Sequence, residues 1–107
     1  MDFTKANMIL GTKDRKKVDN NTYLERIDLN TIGLRLHRTY VVVYKLDGSI
    51  VLNSGGWLTR TTKERMTTYS PYHIFQKKHI WSVWNNGKLV GLYKDDMKID
   101  NNGRKVA

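Results

Sequence analysis

The chain contains no cysteine and a single proline among its 107 residues. Without thiols it forms no disulfide and offers no thiolate to a metal. No apolar stretch approaches the roughly 20 residues that span a bilayer, and Met8-Ile9-Leu10 is too short for a signal-peptide core. These absences predict a soluble protein, without membrane attachment, that stays in the cell where it is made. Acidic residues are also scarce: 10 Asp and Glu stand against 19 Lys and Arg, a formal net charge of +9. Such a surface favours polyanions, nucleic acid first, then acidic proteins and anionic membranes. The same charge can also serve solubility alone.

A catalytic signature is missing as well. His37, His73 and His79 are well separated, and no pair of them has metal-ligand spacing. Ser54 and Ser70 have no base nearby in sequence. Asp95-Asp96 is the one adjacent acidic pair, and beside Lys94 and Lys98 it reads as a solvated turn rather than a two-metal nuclease site. The expectation is a non-enzymatic protein that needs no metal and no cofactor.

What is present is mainly β pattern. Three tryptophans, six tyrosines and two phenylalanines supply much of the apolar area of one small domain. Residues 1–20 show no clear period, and Gly11 to Lys17 read as part of a basic arm or loop. A single domain then spans 21–100, and 101–107 form a frayed polar tail. Strands are expected over 21–27, 32–36, 39–46 and 49–52, with Asp47-Gly48 closing a hairpin. A two-residue turn there would set Tyr44 opposite Val51 and Val43 opposite Leu52. Thr61-x-x-Glu64 fits a capping box for a helix over 62–69 that stops before Pro71. Further strands follow over 72–76, 79–84 and 89–93, turning at Lys77-Lys78 and at Asn85-Asn86-Gly87-Lys88. The fold class is α+β: a mainly antiparallel, curled β-sheet with one short helix.

The junction Leu52-Asn53-Ser54-Gly55-Gly56-Trp57 admits two readings. Gly55 and Gly56 let amides approach a phosphate at the helix start, with Arg60, Lys63 and Arg65 completing an anion site and Trp57 offering a stacking face. Alternatively, the glycines only turn the sheet and Trp57 is a core plug. The loop is neither a Walker A motif nor G-x-G-x-x-G. A second constellation is the strand Ile80 to Trp84, whose alternation places Trp81 and Trp84 on opposite faces. An exposed Trp84 or Tyr72 beside Lys77, Lys78 and Lys88 would make a stacking platform for single-stranded nucleic acid. Otherwise these aromatics simply form the core.

The segments Asn21 to Arg26, Ile32 to His37, Leu52 to Trp57 with Thr61 to Arg65, and Trp81 to Trp84 carry a resemblance. Over residues 21–99 the chain resembles a group of small tailed-bacteriophage proteins. The resemblance implies a phage origin and expression in the cytoplasm of an infected bacterium, and it transfers no catalytic residue. Three functions follow as expectations: nucleic-acid binding (DNA or RNA), inhibition of a host defence or regulatory protein complex, or binding of a phosphorylated nucleotide. An open β-edge, or the exposed face of the Trp81–Trp84 strand, would also support a homodimer.

Overall fold

In the computed structural model, which describes residues 1–106, the chain forms two helices and ten strands. Helix α1 spans Phe3–Leu10. Asp2 caps it by accepting from the Lys5 amide, and Gly11 ends it at φ 59° with its N–H on Asn7 O. Phe3, Ala6 and Leu10 are its buried stripe. Five antiparallel strands follow as a meander: β1 Arg15–Asp19, β2 Thr22–Asp28, β3 Thr31–Leu36, β4 Thr39–Lys45 and β5 Ile50–Leu52. Then come α2 (Arg60–Tyr69), β6 (His73–Lys77), β7 (Ile80–Asn85), β8 (Lys88–Leu92), β9 (Met97–Ile99) and β10 (Lys105–Val106).

The strands make two sheets, seven-stranded in the order β1-β2-β3-β4-β5-β9-β10 and three-stranded in the order β6-β7-β8. Every pairing is antiparallel, and the sheets do not close. Leu52 pairs with Met97, so the chain leaves the large sheet at the end of β5 and re-enters it in the adjacent slot.

Three expectations are corrected here. Residues 1–20 are not an arm or loop: they supply α1 and the edge strand β1, and Phe3 and Leu10 join the core. The segment from 101 is not wholly a frayed tail, because Lys105 and Val106 pair with Ile99 and Lys98; Ala107 lies outside the described residues. The β4–β5 connection has three residues rather than two. Gly48 at φ 88° donates to Lys45 O, Lys45 donates to Ser49 O, and the register places Tyr44 opposite Ile50 and Val43 opposite Val51.

That register gathers the apolar side chains onto one face. Ile32, Tyr44, Ile50 and Ile99 form one row across β3, β4, β5 and β9, and Leu24, Leu34, Val42, Leu52 and Met97 form the next. All nine are buried. Met66 of α2 and Ile74, Trp81 and Val83 of the small sheet complete the same cluster. The other face of the large sheet carries Glu25, which accepts from Arg35 and from the Tyr40 hydroxyl.

Candidate functional site

The glycine junction is a self-satisfied corner. Asn53 Oδ1 accepts from the Gly55 amide at 2.9 Å, Ser54 Oγ from Gly56 at 3.1 Å, and Ser54 O from Trp57 at 3.0 Å. Both glycines have positive φ, 62° and 87°, and a Cβ on Gly55 would sit 2.4 Å from Thr39 Oγ1. The base of the corner is fastened by Asp95, whose Oδ1 accepts from the Ser54 amide and hydroxyl and from the Tyr93 hydroxyl. The Tyr93 hydroxyl, then Ser54, holds the Asp95 carboxyl below its ordinary pKa, while burial pushes the Tyr93 hydroxyl up. Gly55, Gly56 and Trp57 thus spend their amides within the turn, and these three do not cradle an anion. Trp57 is no core plug either: it is 69% exposed.

Helix α2 starts two residues before its expected start. Thr59, not Thr61, is the cap and accepts from the Thr62 amide at 3.2 Å; Glu64 instead lies against Arg65 and Thr68. The face that packs against the sheets decides which side chains turn inward. Thr62, Arg65 and Met66 are buried, whereas Arg60 is exposed and Lys63 reaches Gln76 Oε1 of β6 at 3.0 Å. Arg65, expected on phosphate, is therefore a structural cation, 8% exposed. It donates to Thr22 Oγ1 at 2.9 Å and to Asn20 O, and pairs with Asp19 and Glu64.

The small sheet has one covered and one open face. Ile74, Trp81 and Val83 point into the core. His73, Phe75 and Lys77 of β6, Ile80, Ser82 and Trp84 of β7, and Leu89 and Leu92 of β8 share the outer face by register. Phe75 is 55% exposed and meets the half-buried Trp84 edge-on at 6.4 Å, while His73 lies tilted against Phe75 with ring centroids 4.4 Å apart. Trp84 Nε1 donates to Ser82 Oγ, which fixes the indole along its strand. Lys78 and His79 form the β6–β7 turn, both at positive φ, and Lys88 opens β8. Trp81 and Trp84 thus separate as their alternation predicts. Tyr72, the other expected stacker, is buried.

The structure brings Lys63, Lys77 and Lys78 to the borders of this small sheet, with Arg60 one turn before Lys63 on α2. Trp57 lies apart, on a groove of about 610 Å³ between its loop, the His37–Arg38 turn and the start of α2. Phe75, His73 and Arg38 had no place in the sequence reading of the site. Period-2 alternation from Trp84 across the Lys-Lys turn would have put Phe75 and His73 on its face. For Arg38 there was no such signal. No described helix is long and apolar enough to cross a membrane.

Fold and surface together define a small basic α+β protein with an open aromatic sheet. The family model described as Kyanoviridae Gp96 protein matches residues 1–102. The chain belongs to that family and is a tailed-bacteriophage protein. The matched region includes α1 and β1, beyond the 21–99 span of the sequence resemblance. No curated protein and no solved structure matches the chain.

Proposed function

We propose that this phage protein binds single-stranded nucleic acid, without catalysis, on the open face of the three-stranded sheet in the cytoplasm of the infected bacterium. One observation carries the reading: Phe75 and Trp84, with His73, stand on a solvent-facing sheet face that also carries Lys77, with Lys78 in the adjoining turn. Aromatic faces stack on any base, and the surrounding cations track the backbone phosphates. The net charge of +9 attracts the strand from a distance.

Fluorescence anisotropy with labelled single-stranded DNA and RNA tests it. Phe75→Ala and Trp84→Ala should each weaken binding by about 1–3 kcal/mol, the usual value of one stacked base. The logarithm of the affinity should fall linearly with the logarithm of salt, with a slope of roughly −0.7 per neutralised phosphate. If neither nucleic acid binds at low salt, the reading is lost.

Ile80, Leu89 and Leu92 on the same face favour a second reading. Each is more than half exposed, and aliphatic side chains contribute to protein contacts rather than to base stacking. The face would then dock on a host defence or regulatory protein. A pull-down from nuclease-treated host lysate separates the two: a stable partner lost in Leu89→Asp supports docking, and an empty pull-down counts against it.

A further inference from the structure

The groove beside Trp57 is a second place on the molecule with ligand-binding chemistry, and it shares no residue with the open sheet. Its lining combines three kinds of group. Leu36 and Val41 are buried and form an apolar floor. Trp57 presents its indole at one wall. Arg38 stands exposed on the His37–Arg38 turn, and its guanidinium makes no hydrogen bond or ion pair with the described residues. Its volume of about 610 Å³ lies inside the roughly 300–1,000 Å³ of ordinary small-molecule sites.

The walls are also held in place before any ligand arrives. Gly55 packs directly on Thr39, so the tryptophan loop and the His37–Arg38 turn are wedged against each other. Ser54, one residue before the glycines, is tied to Asp95. The His37 amide donates to Asn21 O and the Arg35 guanidinium to His37 O, which fixes the second turn. A preorganised site spends less free energy on ordering its own loops when a ligand binds.

We propose that this groove binds a nucleotide unit, its base against Trp57 over Leu36 and Val41 and its phosphate on Arg38. A purely apolar ligand would leave the Arg38 cation unused, and a bare anion would leave the indole and the floor unused. A planar ring carrying a phosphate uses all three. Thr61, at the first turn of α2, places a hydroxyl on the same side as the helix's positive end. The ligand has two possible sources, a free mononucleotide or one nucleotide of a strand whose remainder lies elsewhere on the protein.

Calorimetry on the full chain with AMP, CMP, GMP and UMP, and with a short single-stranded oligonucleotide, distinguishes these sources. Wild type is compared with Arg38→Ala, Trp57→Ala and the double variant Phe75→Ala/Trp84→Ala. Arg38 and Trp57 are exposed, so their variants should keep the wild-type melting temperature. Mononucleotide binding that weakens about tenfold or more in Arg38→Ala and in Trp57→Ala, and is unmoved in the double variant, supports a free-nucleotide site. Oligonucleotide binding that weakens in the same two variants, with mononucleotides inert, supports a strand unit. If Arg38→Ala and Trp57→Ala leave the binding of both ligand types unchanged, or if neither ligand binds wild type, the proposal is overturned. The sheet-face reading fails separately, when the double variant leaves oligonucleotide affinity intact.

Discussion

Arg65 lies under α2 with its guanidinium divided among Thr22 Oγ1, Asn20 O and Asp19. Removing it empties a buried position, takes one of two partners from the Thr22 hydroxyl, which still donates to Asn20 O, and deprives Asp19 of its cation. Arg65→Ala should therefore cost about 2–4 kcal/mol in urea unfolding, with nucleic-acid affinity of the folded fraction unchanged. Lys63, two residues earlier, is the contrast: its ammonium reaches only Gln76 at the surface. The sequence shows both as cations in one helix, but which one turns inward depends on the face the helix packs against the sheets. The stripe Thr62, Arg65, Met66 and Tyr69 has helical spacing, yet two of its four members are polar, which hides it from a reading based on apolar periodicity.

At the scale of elements, helix α2 offers a direct test of its own beginning. Thr59→Ala removes the cap and should cost about 1 kcal/mol in thermal or urea unfolding. Thr61→Ala, at an exposed position inside the first turn, should stay within about 0.5 kcal/mol. The reverse order would restore the Thr61 capping box. The polar face of the large sheet gives a pH test. The Glu25 carboxyl is held below its ordinary range by Arg35 first, then by the Tyr40 hydroxyl. A carboxyl depressed on folding adds stability above its unfolded pKa, and that stability is lost as pH falls through the folded value. Wild type should thus lose stability on acidification below the usual carboxylate range. Glu25→Gln should start about 1–2 kcal/mol lower at neutral pH and show a shallower acid slope.

The hairpins were legible because their turns announce themselves: Asp-Gly and Asn-Gly mark two of the positive-φ corners that the backbone adopts at Gly48, Asn86 and Gly87. The elements at the chain ends were not. Helix α1 buries only Phe3, Ala6 and Leu10, though Asp2 and Gly11 bracket it as ordinary start and stop residues. Strand β9 is three residues long and exists through its pairing with β5, a contact no local pattern encodes. Strand β1 is disguised by Arg15, Lys16 and Lys17, the kind of charge that keeps an edge strand from pairing with other chains.

For the molecule as a whole, the core is one cluster that draws on both sheets and both helices. Residues 1–10 contribute Phe3, Ala6 and Leu10 to it. Their deletion should therefore give a cooperative loss of stability, seen as a lower melting temperature, where removal of a true arm would leave it unmoved. The open sheet and the Trp57 groove were only half legible for a related reason. Residue types and alternation placed Trp57 and Trp84. Phe75 joins Trp84 across one hairpin and was within reach of alternation, whereas Arg38 and Trp57, which line one groove, are brought together from segments distant in sequence.

The pairing of Leu52 with Met97 has a topological consequence. Everything from residue 53 to residue 96, including Trp57, α2 and the whole aromatic sheet, departs and returns at the two ends of one rung between adjacent strands, about 5 Å apart. Such a stretch is an excursion from the scaffold rather than a link in it. Substitutions and length changes within it can remodel the exposed aromatic face without re-threading any strand of the large sheet, provided Met66, Ile74, Trp81 and Val83 continue to roof its apolar rows. The open aromatic face and the Trp57 wall of the groove both lie within this one stretch, while β1 to β5, β9 and β10 stay in register beneath it.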